Sequence, residues 1–211
     1  MLTDVILASV MAAAVASLLR AVRVGDRTLE IFSKTTASAV FVMLGLARWS
    51  PGNAVGAWLI GGLVLCAAGD LCLLWGRSFD LGLISFLFGH VAYVIGFGAA
   101  LPIQEWPLPF LVPLLIVGGV ASRWLWPHLG RRRIPVMAYI VAITAMVWGG
   151  VSVSWAGALS WTAATGAILF YLSDLAVARH RFVHKSFVNR AIGLPTYYLG
   201  QFLLALTIGA R

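Results

Sequence analysis

The stretch AVGAWLIGGLVLCAAGDLCLLW, residues 54–75, decides the fold. It is apolar over a length close to the ~20 residues that an α-helix needs to cross the hydrocarbon core of a bilayer. Its apolar run is continuous, whereas a strand of a membrane β-barrel would alternate in polarity over about 10 residues. The only charge within it is Asp70, near one end. A carboxylate at membrane depth costs roughly 2.5 to 3.5 kcal/mol on insertion scales and by default marks a functional group facing the protein interior.

Outward from this segment, stretches at 3–21, 33–49, 80–100, 108–126, 134–155, 157–178 and 191–209 read as further spans, with 33–49 the weakest. The 211-residue chain is 61% hydrophobic and 10% charged, with a mean hydropathy of +0.95. Soluble domains carry about 25% charged residues. The expected fold is therefore all-α, a polytopic transmembrane helical bundle of about eight spans. No linker or low-complexity stretch divides it, so residues 1–211 read as a single integral membrane domain. The first apolar stretch opens on Asp4 and its arginines follow it, which predicts a retained span and not a cleaved signal.

The formal net charge of +8 does not point to nucleic acid, because the basic residues lie in short runs between spans. Arg20, Arg23, Arg27 and Lys34 flank the first connection, Arg77 the third, Arg123 and Arg131 to Arg133 the fifth, and Arg179, Arg181, Lys185 and Arg190 the seventh. The second has Arg48 alone, and the fourth and sixth have no Lys or Arg. The positive-inside rule then makes the odd connections cytoplasmic and puts both termini on the non-cytoplasmic side. Trp49, Trp75, Trp106, Trp124, Trp126 and Trp155 fall near span ends, as an interfacial belt requires. Cys66 and Cys72, six positions apart in one span, read as packing residues. His180 and His184 are spaced to share a helix face, but no third ligand lies near them, so no metal is expected there. Serine-hydrolase elbows, HExxH and P-loop motifs do not occur.

Asp174, in Ser173-Asp174-Leu175, repeats the small-Asp-Leu triplet of Gly69-Asp70-Leu71, a short echo compatible with a four-plus-four duplication. At 1.5 Å per residue both aspartates lie roughly 8 Å from the cytoplasmic end of their spans. Lys34, Tyr139, Tyr197, Tyr198 and Gln201 start from the same side on other spans, with His90 deeper. The polar groups so converge in one membrane half, as a pocket opening toward the cytoplasmic leaflet. Each has an ordinary alternative. The tyrosines can be buried aromatics with a backbone partner, Gln201 interhelical glue, His90 a structural histidine, Lys34 a snorkelling cation, and Arg131 to Arg133 a topology anchor. An aspartate is too short to snorkel from that depth, so Asp70 and Asp174 are the residues on which function rests.

Four segments carry a resemblance to a known family: Ala68-Gly69-Asp70-Leu71-Cys72-Leu73-Leu74, Phe88-Gly89-His90-Val91-Ala92-Tyr93, Phe170-Tyr171-Leu172-Ser173-Asp174-Leu175 and Tyr197-Tyr198-Leu199-Gly200-Gln201. Together and in order they resemble the YhhN/TMEM86 family, whose characterised members are lysoplasmalogenases. The resemblance implies hydrolysis of the vinyl ether bond of a lysoplasmalogen, a lysophospholipid, to a fatty aldehyde and glycerophospho-ethanolamine or glycerophospho-choline. It implies that Asp70 and Asp174 are the catalytic pair and that Lys34, His90, Tyr139, Tyr198 and Gln201 occupy weaker polar positions of the family. The expected location is a bacterial inner membrane.

Vinyl ether hydrolysis needs a positioned acid to protonate the β carbon and a nearby anion to stabilise the oxocarbenium ion that water captures. Paired carboxylates supply both, as in glycosidases, and no cofactor is required. A single-chain lipid would lay its tail among apolar residues, with its phosphate at Lys34 or Arg190 and a choline-type cation on tyrosine faces such as Tyr197. The alternative from another class is a small proton-coupled transporter using the same aspartates. A purely structural membrane protein would leave the two buried acids unexplained. The sequence leaves headgroup preference and oligomeric state open.

Overall fold

The computed structural model describes residues 2–209, which form helices joined by short turns with no strand among them. The helices are α1 (Leu2–Val24), α2 (Arg27–Arg48), α3 (Ala54–Leu73), α4 (Phe79–Ala100), α5 (Leu108–Leu125), α6 (Arg133–Trp155), α7 (Trp161–Ala178) and α8 (Phe187–Thr207). Of these, 7 are long and apolar enough to cross a membrane, as a multi-pass membrane protein requires. The exception is α8, which is 21 residues long but carries Asn189, Arg190, Thr196, Tyr197, Tyr198 and Gln201. The weakest span by composition is therefore α8, not the 33–49 segment expected from sequence.

Span ends move where capping chemistry overrides hydropathy. Gly25, at φ +79°, takes the left-handed conformation that closes α1, and Asp26 immediately caps α2 by accepting from the Leu29 backbone N–H at 3.0 Å. The cap starts α2 at Arg27, six residues before the expected 33, so Arg27 and Glu30 are helical. Asn53 caps α3 by accepting from Gly56 N–H, and Ser186 caps α8 by accepting from Asn189 N–H. At the other end of its connection α7 passes into a single π turn, Arg179–Val183, before the chain reverses. Asp26→Ala should cost about 1 kcal/mol, the usual loss for an exposed N-cap, read as a lower unfolding midpoint in detergent.

Helix contacts close a ring in the order α2, α3, α4, α6, α7, α8 and back to α2. The helix α1 lies against α2 and α8, and α5 is attached chiefly through α6. The most extensive pairs are α3 with α4 and α7 with α8, each placing an aspartate-bearing helix against its sequence neighbour. The second pair depends on reciprocal glycines: a Cβ on Gly200 would lie 2.9 Å from the Gly166 carbonyl oxygen, and one on Gly166 would lie 2.9 Å from that of Gly200. Small residues allow such backbone approach, which in lipid replaces the hydrophobic drive that soluble helices use.

Cys66 and Cys72 are free thiols, and Cys66 is buried with its sulfur packed on Gly89 of α4. Five of the six tryptophans expected at the interface are substantially exposed, but Trp106 is 3% exposed. It folds back over Gly149 of α6, meets Trp148 edge-on at 5.1 Å and donates its indole N–H to the Leu101 carbonyl, so it belongs to the core.

Candidate active site

A cavity of about 280 Å³ lies inside the helix ring and is lined by both Asp70 and Asp174. Its walls are apolar (Leu73, Leu83, Phe86, Leu125, Ile140, Ile143), and its remaining polar lining includes Glu30, Lys34, Tyr139, Ser173, Arg190 and Tyr197. Each aspartate sits about one turn before the C-terminal end of its helix, Asp70 on α3 and Asp174 on α7.

The two carboxyl groups occupy different electrostatic settings. Asp70 is 2% exposed and meets the Lys34 ammonium at 3.2 Å, while its other oxygen accepts hydrogen bonds from Ser38 at 2.7 Å and Tyr197 at 2.8 Å. Lys34 is itself 5% exposed, so this is a buried ion pair with hydrogen bonds to spare on its acceptor side. The expectation that Lys34 could snorkel to the interface fails for that reason: its ammonium is turned inward onto Asp70. The Tyr197 ring is held by edge contacts with Phe86, Phe170, Phe41 and Tyr198, which fixes its hydroxyl toward the carboxylate.

Among the described residues, no lysine or arginine lies at salt-bridge distance from Asp174. Its Oδ2 accepts a hydrogen bond from Tyr139 at 2.8 Å and lies 3.5 Å from His90 Nε2, within ion-pair reach but not aligned as a hydrogen bond. The other imidazole nitrogen, Nδ1, is engaged at 2.6 Å with the Phe86 carbonyl, a geometry that puts a proton on Nδ1 and directs Nε2 to Asp174. The ring is fully buried, packed against Phe170 at 4.4 Å and Tyr139 at 4.9 Å. His90 thus stands behind Asp174 and does not line the cavity.

Of the residues singled out from sequence, Asp70, Asp174, Lys34, Tyr139, Tyr197 and Arg190 share the cavity, and His90, Tyr198 and Gln201 do not line it. Tyr198 is buried beside it, its hydroxyl 3.5 Å from the Lys34 carbonyl. Gln201 lies deeper than expected because α8 begins at Phe187, four residues before the sequence-derived start. It accepts a 2.6 Å hydrogen bond from Tyr93 of α4 in the fully buried middle of the bundle.

Residues 29–208 match the YhhN family. The chain belongs to this family. Among curated relatives it is 35% identical over 164 residues to the mouse protein named lysoplasmalogenase TMEM86B, covering 75% of this chain and 66% of the mouse protein. The human TMEM86B lysoplasmalogenase is 34% identical over 160 residues, again 75% of this chain and 66% of the relative. A lysoplasmalogenase of Mycobacterium bovis is 36% identical over 152 residues, covering 67% of this chain and 55% of that protein. The chain therefore spans about two thirds of the mammalian relatives and just over half of the mycobacterial one. No solved structure matches.

Within this YhhN chain, sequence reasoning missed several polar residues of the site, among them Glu30, Ser38, Ser173 and Arg181. Glu30 and Ser38 stand one turn either side of Lys34, and the i, i+4, i+8 spacing of 30, 34 and 38 was a legible signal for one polar face of α2. Ser173 precedes Asp174, and its buried hydroxyl lines the cavity without a hydrogen-bond partner among the described residues. No spacing rule marks it.

Proposed function

We propose that this YhhN protein is a membrane hydrolase that cleaves the vinyl ether bond of a lysoplasmalogen, with Asp174 as the acid and Asp70 as the anion. The observation that carries the proposal is the asymmetry of the pair in one cavity: among the described residues, Asp70 faces a buried lysine, whereas Asp174 faces a phenol and an imidazole and no lysine or arginine. A carboxyl group with no cation at hand is the one that can hold a proton; a carboxylate paired with Lys34 and two hydroxyl donors is the one that stays charged. The lysoplasmalogenase names of relatives at 34% to 36% identity support the same substrate class.

In the proposed cycle Asp174 transfers its proton to the β carbon of the vinyl ether, whose π electrons form the new C–H bond, leaving an oxocarbenium ion. Asp70 stabilises that cation across the cavity and takes a proton from the water that adds to its carbon. The hemiacetal then collapses: its hydroxyl proton returns to Asp174, the C–O bond to glycerol breaks, and Asp70 protonates the departing oxygen. Both carboxyl groups end as they began, with fatty aldehyde and glycerophospho compound as products. The apolar walls would hold the alkenyl chain. We further propose that all eight helices cross the membrane as one domain, with both termini non-cytoplasmic in a bacterial inner membrane, so that the cavity admits lipid from the cytoplasmic leaflet.

The test is mass-spectrometric product analysis with vinyl-ether lysolipid and its ester-linked counterpart. Aldehyde release from the vinyl ether alone supports the hydrolase; turnover of neither lipid by folded protein, together with proton-dependent uptake into liposomes, would transfer the aspartates to a transporter. Tyr139→Phe removes the hydroxyl donor on Asp174 and leaves the ring that packs on His90. It should lower kcat by about tenfold, the effect of one charge-assisted hydrogen bond, with little change in KM.

A further inference from the structure

Away from the two aspartates, the same cavity is lined by Glu30 from the first turn of α2, Arg190 from the first turn of α8, and Arg181 from the π turn after α7. Glu30 Oε1 accepts from Arg190 at 2.8 Å, and Oε2 accepts from Arg27 at 3.0 Å. Arg27 is braced in turn on the Leu74 carbonyl. The Arg181 guanidinium lies 4.0 Å over the Phe79 ring, which also lines the cavity. These groups take no part in the proton transfers proposed above.

Two arginines lining one cavity fit a phosphate. The carboxylate paired with one of them, Arg190, does not, because an anionic ligand would be repelled by Glu30. The contradiction disappears if the ligand carries both charges. An ionised carboxylate has about four lone-pair sites, and Arg27 and Arg190 use two of them, so Glu30 can still accept from an ammonium group. We propose that Glu30, Arg190 and Arg181 form a headgroup site that selects a zwitterionic phospho-ammonium lysolipid, the phosphate on the two arginines and the ammonium on Glu30. Entry of such a headgroup exchanges one internal ion pair for two complementary ones. The inference rests on the lysolipid reading above and names a specificity determinant, Glu30, for that substrate.

The experiment compares vinyl-ether lysolipids that differ only in headgroup, phosphoethanolamine against phosphoglycerol, in full-length protein in nanodiscs. A parallel arm measures binding of the non-hydrolysable alkyl-ether lysolipids with the same headgroups, with inorganic phosphate and glycerophosphoethanolamine as soluble competitors. The native protein should favour phosphoethanolamine, and Glu30→Gln should reduce that preference about tenfold, as loss of one charge-assisted contact does, with the change in KM and not in kcat. Glu30→Asp, which keeps the charge, should keep part of the preference, and it supplies the measurement if the Gln variant does not fold. Glycerophosphoethanolamine should compete better than phosphate; equal competition would mean a simple phosphate site and overturn the role of Glu30. An unchanged preference in Glu30→Gln, or equal weakening of both lipids, would do the same, leaving Glu30 as a clamp on Arg190. If the native protein hydrolyses none of the lipids, the hydrolase reading fails by itself. The binding arm then decides the headgroup site, which stands on a Glu30-dependent preference and falls without one.

Discussion

Asp174→Asn should lower aldehyde release by about 10²- to 10⁴-fold, the range for loss of a general acid, while leaving a folded, membrane-inserted protein. The geometry explains why the fold survives. An asparagine at 174 keeps an oxygen at the Oδ2 position, so the 2.8 Å hydrogen bond from Tyr139 has a successor. Only the transferable proton is lost. Asp70→Asn should be equally damaging to turnover but different in stability, because it strips the counter-ion from Lys34, which is 5% exposed. Breaking one side of a buried ion pair costs about 3 to 5 kcal/mol, since the remaining charge has no solvent and no partner. The double variant Lys34→Met with Asp70→Asn should recover most of that stability and none of the activity. Thermal unfolding in detergent beside product analysis separates the two aspartates: near-native turnover in Asp174→Asn would falsify the acid assignment, and an undisturbed melting temperature in Asp70→Asn would show that the Lys34 pair does not hold the fold.

Gly200→Ala carries the second large effect, and it acts on structure. The added Cβ would meet the Gly166 carbonyl oxygen at 2.9 Å and the Phe170 backbone nitrogen at 3.1 Å. Backbone atoms cannot rotate aside, so α7 and α8 must separate, which overpacking studies price at about 1 to 3 kcal/mol and which valine should exceed. For a chain of this size 3 kcal/mol corresponds to a fall of about 6 to 12 °C in melting temperature. Because α7 carries Asp174 and α8 carries Tyr197, activity should fall with stability. Gly98→Ala on α4 is the control, since nothing lies within 4 Å of a Cβ there, and it should be neutral or slightly stabilising. Equal melting temperatures for the two variants would refute the close α7–α8 contact.

The helical, membrane-spanning character of the chain and the position of Asp70 and Asp174 along it were set by local chemistry. A continuous apolar run has to satisfy its own backbone in lipid, which leaves a helix, and a carboxylate within such a run has to find company inside the protein. Helix ends were legible only in part. The Gly25-Asp26 turn and cap were present in the sequence, yet hydropathy alone placed the start of α2 at 33 because Arg27, Glu30 and Lys34 make its first turns polar.

What only the tertiary structure decided is which polar groups meet. A helix that is apolar all round presents no polar face from which its rotation can be read, so the sequence of α4 gives no sign that His90 backs Asp174 while Tyr93 reaches Gln201. Trp106 leaves the interface for the core because Gly149 opens a place for its ring, a fact held by two residues in different helices. The division of labour proposed for the aspartates has the same origin. Asp70 and Asp174 sit in nearly identical triplets, and what distinguishes them is the neighbour that helix packing brings to each: Lys34 from α2 for one, Tyr139 from α6 and His90 from α4 for the other. Local sequence fixes where a charge lies along a helix, whereas its electrostatic partner is set by packing between helices that are distant in the chain.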